Sequence, residues 1–335
     1  MIDPVSRFEY PDAWVSLCKD RTDLALVQYG LAVLTSDGRV LKRGFTTGTS
    51  AAAACKGAIM SLGGDEIHSV KIQMPCGLTY PVEIVAKDGV ASCFKYSGDY
   101  PSDATAGIEL KARFIDFQHD IVLDIGSGIG IWNRDTPRYD QGSPAISHTA
   151  MDCIVRSISA ACTARGREGA LVHLEAVDGK KRALRTLNHK IGIENGISIL
   201  GSTGLVEPWD DHLGQDSVKR VMDAERAVVT TGRVGLKHAR LQFPDSDVVL
   251  VGANMGPALD SRNDGLILFG LPALIIRFIE PDILENSRYK TIEELVFSAD
   301  GPRVVHSSIL KFKSRYPGHG ITIIDRDGRV LGASR

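Results

Sequence analysis

The sequence predicts a protein of two domains, in which an α+β domain precedes an α/β domain. Its 335 residues are 43% hydrophobic, which is enough to bury a large core, and this length is typical of about two domains. Short strand-like segments with few helices between them fill residues 43–194, whereas strands and helices alternate over residues 195–335. Residues 1–42 read as a polar lead-in that ends in a turn.

The first domain is predicted to begin with a loop and a helix. Thr49 or Ser50 is placed to cap this helix, and Gly63 is placed to end it. Alternating apolar and polar residues then predict strands at residues 70–74, 80–86 and 90–96. An apolar stripe at helical spacing predicts a helix over residues 147–163, and a strand at residues 171–176 completes the domain.

The second domain is marked by apolar strand-like runs that end in turns. They lie at residues 197–200, 227–231, 248–252, 266–270 and 321–325. Helix-like segments at residues 217–227 and 304–313 lie between them. This alternation favours a mostly parallel sheet.

The most informative motif is V-L-D-I-G-S-G-I-G at residues 122–130, where an apolar strand with Asp124 runs into Gly126, Gly128 and Gly130. Glycines at this spacing let a backbone approach a ligand closely and expose several N–H groups. The motif resembles the first motif of the Rossmann-type methyltransferases, which bind S-adenosylmethionine. A plain glycine turn between strand and loop is the competing interpretation.

The residues behind this motif argue against the usual Rossmann methyltransferase fold. That fold needs a helix directly after the glycine loop. Pro137, Gly142 and Pro144 follow instead, and they prevent a continuous amphipathic helix. The loop can still bind a cofactor, but on a different scaffold.

Three further loops are rich in glycine, serine and threonine. The segment T-T-G-T-S at residues 46–50 precedes a helix, where free N–H groups and the helix dipole favour an anion, although an ordinary capped helix explains it as well. G-S-T-G at residues 201–204 follows an apolar strand and precedes Glu207. T-T-G-R-V-G at residues 230–235 brings Arg233 to the end of another strand.

Composition excludes several classes of function. A net charge of −2 gives no electrostatic footprint for nucleic acid. The N-terminal residues lack the pattern of a signal peptide, and the longest apolar run, residues 266–276, is too short for a bilayer. Six cysteines without a C-x-x-C pair are typical of reduced cytosolic thiols and not of a zinc site. We therefore expect a cytoplasmic protein without a protein-bound metal or a membrane partner.

The order of the motifs is similar to that of the CbiD family, the cobalt-precorrin-5B carbon-1 methyltransferases of anaerobic cobalamin biosynthesis. The resemblance rests on R-G-F-T-T-G-T-S-A-A-A-A from residue 43, S-D-A-T-A-G at 102–107, G-S-G-I-G-I-W-N-R-D from 126 and N-H-K-I-G-I-E-N-G-I-S-I-L-G-S-T-G-L-V-E-P at 188–208. It covers about residues 43–235 and weakens after residue 241. It implies a CbiD-like two-domain architecture.

The resemblance implies that the chain methylates carbon 1 of cobalt-precorrin-5B to give cobalt-precorrin-6A. S-adenosyl-L-methionine would be the methyl donor, and cobalt would arrive only as part of the tetrapyrrole substrate. Such a transfer depends mainly on alignment in a dry pocket, and the sequence offers no serine or cysteine triad. The pattern is compatible with a homo-oligomer.

The candidate site residues follow from these motifs. For the cofactor we expect Gly126, Gly128, Gly130, Gly201, Thr203 and Gly204. For the substrate, which carries carboxylates, we expect Arg43, Thr46, Thr47, Gly48, Thr49, Ser50 and Arg233. Other cations beside the loops are Lys56, Arg134, Arg138 and Lys237. The catalytic group is unknown, and the proton acceptors to consider are Glu207, Asp124 and His148.

Three other interpretations remain open at the level of sequence. The weaker match after residue 241 is compatible with a methyltransferase that acts on another tetrapyrrole. A tetrapyrrole-binding protein without catalytic activity would keep the same loops. A small-molecule kinase ranks last, because T-T-G-T-S lacks a P-loop lysine at the required spacing.

Overall fold

The computed structural model describes residues 1–64, 66–100, 103–136, 138–208, 217–285 and 287–335. They divide into two compact units. The central unit contains residues 29–33 and 41–208, and the terminal unit contains residues 1–28, 34–40 and 217–335. Ser102, Pro137 and Trp209, which belong to predicted motifs or arguments, lie outside the described residues.

Helices and strands are mixed along the whole chain. The helices are α1 (Asp12–Leu17), α2 (Arg21–Gln28), α3 (Thr47–Met60), α4 (His148–Ala164), α5 (Gly179–Ala183), α6 (Asn188–Ile191), α7 (Ser217–Asp223), α8 (Gly232–Gln242), α9 (Met255–Asp260), α10 (Pro272–Ile279), α11 (Ile292–Val296) and α12 (Gly301–Arg315). A 3₁₀ turn covers Gly252–Asn254.

The strands are β1 (Ala32–Leu34), β2 (Val40–Lys42), β3 (Gly44–Phe45), β4 (Ile67–Gln73), β5 (Thr79–Lys87), β6 (Val90–Phe94), β7 (Glu109–Gln118), β8 (Val122–Ile125), β9 (Gly128–Ile129), β10 (Ile131–Trp132), β11 (Gly169–Ala176), β12 (Ile193–Glu194), β13 (Gly196–Ile197), β14 (Leu205–Val206), β15 (Ala227–Thr231), β16 (Asp247–Leu250), β17 (Ile267–Gly270), β18 (Gly320–Ile324) and β19 (Val330–Ser334). Among the described residues, strands of seven residues or more occur only in the central unit, where they are β4, β5, β7 and β11.

The central unit is built on a six-stranded sheet in the order β4-β5-β6-β7-β11-β8. Neighbouring strands in this sheet are antiparallel, except that β8 and β11 are parallel. All of these strands except β8 bury alternate residues over at least part of their length, as in β5, where Val82, Ile84 and Ala86 point inwards. α3 covers this inner face and packs against α4. The outer face carries the polar and exposed residues of the same strands.

The two long helices of the central unit begin at side-chain caps. Thr46 caps α3 by accepting a hydrogen bond from the Thr49 N–H at 3.2 Å, so the predicted cap at Thr49 or Ser50 is wrong by one turn. Ser147 caps α4 by accepting from the Ala150 N–H at 3.3 Å. The predicted helix over residues 147–163 is confirmed within one residue.

The terminal unit is built on a five-stranded sheet in the order β16-β15-β17-β18-β19. The first four strands are parallel, and β19 is antiparallel to β18. Fully buried aliphatic residues such as Val229, Leu268 and Ile323 fill its core together with Ile275 and Phe312 from the helices. Four of the five runs predicted for the second domain form β15 to β18.

The two units differ from the predicted domain bounds at 42 and 194. The predicted strand at residues 197–200 begins in the central unit, because β13 pairs with β9 through Gly196 and Gly128. Residues 1–28 belong to the terminal unit and not to a separate lead-in. The chain therefore mixes α and β structure and is not built on a single Rossmann sheet.

None of the helices that the structure describes combines the length and apolar character needed to cross a bilayer. Within the described ranges, no group of three His, Cys, Asp or Glu side chains is arranged to hold a metal ion.

Candidate functional site

The structure brings two of the predicted loops of the central unit into direct contact. The Thr47 hydroxyl accepts a hydrogen bond from the Leu200 N–H at 2.8 Å, and the Gly48 N–H donates to the Leu200 carbonyl at 2.9 Å. The Thr49 hydroxyl donates to the Gly204 carbonyl at 2.7 Å. The start of α3 is therefore joined to the G-S-T-G loop by groups that were predicted to bind an anion.

This joint changes the interpretation of residues 46–50. Thr47, Thr49 and Ser50 are 5%, 1% and 0% exposed, and the Thr46 hydroxyl serves as the cap of α3. A Cβ at Gly48 would lie 2.8 Å from the Cβ of Ala150, so this glycine allows α3 and α4 to approach each other. Internal bonds of Thr46, Thr47 and Thr49 and the burial of Ser50 thus explain the helix start without an anion, and the substrate site predicted there stays a prediction.

The three glycines of the 122–130 motif also contact the protein itself. Gly128 has a φ of +78°, and a Cβ there would lie 1.9 Å from the Ala176 carbonyl oxygen. A Cβ on Gly126 would lie 2.5 Å from His173 Nε2, and one on Gly130 would lie 2.4 Å from Ile193 Cγ2. Packing against the backbone thus requires Gly128, and side chains of the protein itself occupy the space beside Gly126 and Gly130.

The second predicted cofactor loop has the same character. A Cβ on Gly201 would lie 2.4 Å from Thr46 Oγ1, and one on Gly204 would lie 2.7 Å from Met74 Cβ. The Thr203 hydroxyl donates to the Leu205 carbonyl at 3.1 Å and accepts from the Leu205 N–H. The geometry of residues 201–204 is therefore explained without a ligand.

Arg43 and Glu207 form an ion pair inside the central unit. Arg43 Nε lies 2.9 Å from Glu207 Oε2, and the two side chains are 0% and 20% exposed. The same guanidinium donates to the carbonyls of Gly30 and Ala32 at 3.1 and 3.2 Å. Internal partners thus account for the position of this side chain, and the role of Arg43 in substrate binding stays a prediction.

Asp124 is held by a residue that the sequence did not single out. The parallel pairing of β8 with β11 places Asp124 opposite His173, and Asp124 Oδ2 lies 2.7 Å from His173 Nδ1. The imidazole is 32% exposed and the carboxylate 60%. Gly126 leaves the space that the imidazole occupies, so the glycine motif and this pair form one arrangement.

A cavity of about 330 Å³ opens beside this pair on the outer face of the sheet. Its lining comes from two neighbouring strands and consists of Lys111, Ala112, Arg113, Ile115, His173 and Glu175. No ion pair joins Lys111 or Arg113 to a carboxylate among the described residues. Lys111 and Arg113 suit an anionic ligand, and Glu175 adds one carboxylate to the same lining.

The sequence carries a signal for this cavity that motif reading passes over. In β7 and β11 the polar residues alternate with buried apolar ones, as in V-H-L-E at residues 172–175. The alternation alone places His173, Glu175, Lys111 and Arg113 on one face of a sheet. Only the pairing of β7 with β11 shows that they are neighbours.

The third predicted proton acceptor, His148, lies at the exposed start of α4. Its ring centroid is 5.3 Å from that of Tyr139, which in turn stacks on Trp132 at 5.2 Å with an interplanar angle of 10°. The rings of Trp132, Tyr139 and His148 thus form a row at the start of α4. Aromatic rings favour stacking with other flat ring systems.

Three further cations that the sequence analysis proposed, Lys56, Arg134 and Arg138, do not belong to the lining of this cavity. Lys56 Nζ donates to the Lys71 carbonyl at 2.8 Å, and burial lowers the pKa of Lys56. Arg134 donates to the Ile191 carbonyl at 3.0 Å, and Arg138 is exposed. None of the three is brought to residues 46–50 by a described contact.

The described part of the S-D-A-T-A-G motif forms an internal ion pair. Asp103 bonds to Lys95, and the two side chains are 5% and 2% exposed. Asp103 also accepts hydrogen bonds from the N–H and hydroxyl of Thr105 at 2.8 and 2.7 Å. Burial raises the pKa of Asp103, but Lys95 and Thr105 outweigh it, so this pKa lies below its ordinary value.

The fourth predicted loop lies in the terminal unit. T-T-G-R-V-G spans the end of β15 and the start of α8, and Arg233 is exposed there. Lys237, one turn further along, lies with its Nζ 5.1 Å from the ring centroid of Phe8. The structure thus places Arg233 at the carboxyl edge of the parallel sheet, as predicted.

Known proteins are similar to this chain both in the region of the motifs and over its full length. A family model described as CbiD matches residues 34–208. The cobalt-precorrin-5B C(1)-methyltransferase of Methanoregula boonei is 51% identical over 334 residues and covers 100% of both chains. The protein of the same name from Methanospirillum hungatei is 44% identical over 335 residues, again with 100% of both chains.

A solved structure is similar as well. The crystal structure of the cobalamin biosynthesis protein CbiD from Archaeoglobus fulgidus has a TM-score of 0.57 and 34% sequence identity. The match covers 88% of the present chain and 96% of that chain.

Proposed function

The chain belongs to the CbiD family, and on this premise we propose that it transfers a methyl group from S-adenosylmethionine to carbon 1 of cobalt-precorrin-5B. The observation that carries this proposal is the 51% identity to a cobalt-precorrin-5B C(1)-methyltransferase over the full length of both chains. The match includes both compact units. The product would be cobalt-precorrin-6A, formed in the cytoplasm.

The proposal also includes a two-domain CbiD-like architecture and the binding of a specific substrate. The similarity to the A. fulgidus structure supports the architecture. A cobalt-bearing tetrapyrrole is the expected partner, with its cobalt as part of the substrate. The net charge of −2 gives no support for a nucleic-acid partner.

The chemistry of methyl transfer sets what the residues must do. Bound S-adenosylmethionine supplies an electrophilic methyl group, whose bond to sulfur breaks as the new carbon–carbon bond forms. The chain must align the two reactants and exclude water. It needs no side-chain nucleophile, and its buried cysteines are unsuited to be one: burial raises the pKa of Cys93 to about 12.

The cavity on the outer face of the central sheet is the part of this unit that suits the substrate. Lys111 and Arg113 would bind carboxylates of the macrocycle by charge-assisted hydrogen bonds. Asp124 bonds Nδ1 of His173 and so fixes the imidazole on the wall of this cavity, with Nε2 beside Gly126. Glu207 is bonded to Arg43.

The test of the activity uses the full chain under anaerobic conditions. It is incubated with cobalt-precorrin-5B and S-adenosylmethionine that carries a ¹³C-labelled methyl group, and the product is analysed by NMR. Label at carbon 1 is the expected result. Transfer only to another tetrapyrrole would indicate a different substrate, and tight macrocycle binding without transfer would indicate a carrier; either outcome refutes the proposal.

The test of the cavity compares two cations on the same face of the sheet. We expect Arg113→Ala to raise the KM for the tetrapyrrole about tenfold, because one charge-assisted contact is removed. Lys87→Ala is the control, since Lys87 is exposed on β5 and pairs with Glu66 outside the cavity. Equal KM values for the two variants would exclude this cavity as the carboxylate site.

A further inference from the structure

The terminal unit contains a region with the geometry of a ligand site, at the carboxyl edge of its sheet. From β15 the chain passes through α8 to β16 on one side, and it then returns to form β17 on the other side of β15. The carboxyl ends of β15 and β17 therefore lie side by side where the strand order reverses. Open parallel sheets bind ligands outside the carboxyl ends of their strands at such a switch point.

Two buried hydroxyl groups lie at this switch point. Thr230 and Thr231 end β15 and are 0% and 1% exposed, and neither Oγ1 has a hydrogen-bond partner among the described residues. A Cβ built on Gly270, the last residue of β17, would stand 3.6 Å from Thr230 Oγ1 and 3.5 Å from Thr231 Oγ1. Because buried polar groups are nearly always hydrogen-bonded in folded proteins, an unpartnered hydroxyl at this edge suits a bond to a polar ligand.

Glycines leave room for a ligand at the same edge. Gly232 follows β15 with a φ of +70°, and Gly252 follows β16 with a φ of +53°. No described atom lies within 4 Å of a Cβ built on either of them. In this respect they differ from Gly126, Gly128 and Gly130, whose Cβ positions meet internal atoms at 1.9 to 2.5 Å.

A third glycine sets the close contact between α8 and the sheet. A Cβ on Gly235 would lie 2.5 Å from Thr230 Oγ1 and 3.4 Å from the Cα of Gly270. A turn glycine, here Gly232, followed by a packing glycine serves the same two purposes in dinucleotide-binding turns. The loop thus has the form of a cofactor turn even though it lacks the full glycine signature.

The charge at this edge suits an anion. α8 has 11 residues, no acidic residue in its first turn, and no side-chain cap hydrogen bond from Thr231 in the described structure. Its first N–H groups and its dipole therefore face the switch point. Arg233, the second residue of α8, adds an exposed guanidinium.

We propose that this edge binds S-adenosylmethionine, with the methionyl carboxylate at the start of α8 beside Arg233 and the adenosyl group bonded to Thr231. The proposal rests on the proposed function, which supplies the ligand. It moves the cofactor from the glycine loop at residues 126–130 to the terminal unit. It also moves Arg233 from the substrate to the cofactor.

The experiment measures binding of S-adenosylhomocysteine, the unreactive product, to the full chain by isothermal titration calorimetry. We expect Thr231→Val to weaken binding about tenfold through loss of one buried hydrogen bond. Arg233→Gln, at an exposed position, is expected to weaken it by a similar factor. Thr322→Val is the matched control, because Thr322 lies on β18, which β17 separates from β15 in the sheet.

The thermal midpoint provides a second readout. Saturating S-adenosylhomocysteine should raise it in the wild type and in Thr322→Val, and should raise it less in the other two variants. If wild type binds the ligand and both Thr231→Val and Arg233→Gln bind it equally well, this site is refuted while the proposed function stands. If the wild type binds neither S-adenosylhomocysteine nor S-adenosylmethionine, both proposals fall. If Thr231→Val does not fold, Arg233→Gln decides alone.

Discussion

Gly128 offers the sharpest test of whether the glycine motif serves packing or a ligand. Its φ is +78°, and a Cβ would lie 1.9 Å from the Ala176 carbonyl oxygen. In Gly128→Ala, a non-glycine residue in the left-handed region costs about 1–2 kcal/mol. Displacing the neighbouring backbone adds about 1–3 kcal/mol. We therefore expect Gly128→Ala to lower the free energy of unfolding by about 2–5 kcal/mol.

Gly142 provides a control that separates these two effects. Its φ of +85° is similar, but no described atom lies within 4 Å of a Cβ built there. Gly142→Ala should therefore show the backbone strain alone, about 1–2 kcal/mol. The difference between the two variants measures the contact with Ala176.

The assay is equilibrium unfolding in urea followed by circular dichroism, with S-adenosylhomocysteine binding measured below the unfolding range. We expect folded Gly128→Ala to bind with the affinity of the wild type. If instead it unfolds at the same urea concentration as Gly142→Ala and loses binding, the glycine serves the cofactor, and our argument from packing is refuted.

Three further predictions concern buried groups. Asp103→Asn should destabilise the protein by about 3–5 kcal/mol in urea unfolding, because it leaves the Lys95 charge buried without its partner; a loss below about 1 kcal/mol would contradict this. Since the folded pKa of Asp103 is lowered, the unfolded chain binds the proton more readily, so the contribution of this group is complete above about pH 4 and is lost as the pH falls through the folded value. Stability measured between pH 6 and pH 2.5 should accordingly fall more steeply in the wild type than in the variant. Iodoacetamide at pH 8 should label half-buried Cys18 but not Cys93, because burial raises the pKa of Cys93 to about 12; equal labelling by mass spectrometry would argue against this environment.

Local patterns predicted the regular elements well. The strands β15 to β18 and the helix α4 are recognisable because apolar periodicity and a serine cap are properties of adjacent residues. The segment after Gly130 lacks the Rossmann helix, as Gly142 and Pro144 predicted. These features need no knowledge of distant parts of the chain.

Local sequence could not show why a glycine is needed at a given position. A ligand and a neighbouring backbone both exclude a Cβ, and Ala176, which faces Gly128, is 48 residues away. The ion pair of Arg43 could not be predicted from local sequence either, because its partner Glu207 is 164 residues away in sequence. Such pairings arise from tertiary structure, and no period or spacing encodes them.

The relation between Asp124 and His173 shows the same limit. Each residue alternates outward on its own strand, which the sequence reveals, but the parallel register of β8 with β11 decides that they meet. The open glycines after β15 and β16 differ from the packed glycines of the 122–130 motif only in what surrounds them. The structure was therefore needed to rank the loops.

The assembly of the terminal unit from three stretches of chain has a consequence for the order of folding. Residues 34–40 join it through long-range contacts such as the hydrogen bond from Ser36 Oγ to the Gln242 carbonyl, which closes a loop of 206 residues. Closing long loops is entropically costly and slows folding. The central unit is nearly continuous in sequence, so on the ribosome and in refolding it should acquire protected amides first. In pulsed hydrogen exchange, the amides of residues 34–40 should be among the last to be protected. A variant that folds slowly would then accumulate as an intermediate in which the central unit is folded and the terminal unit is not.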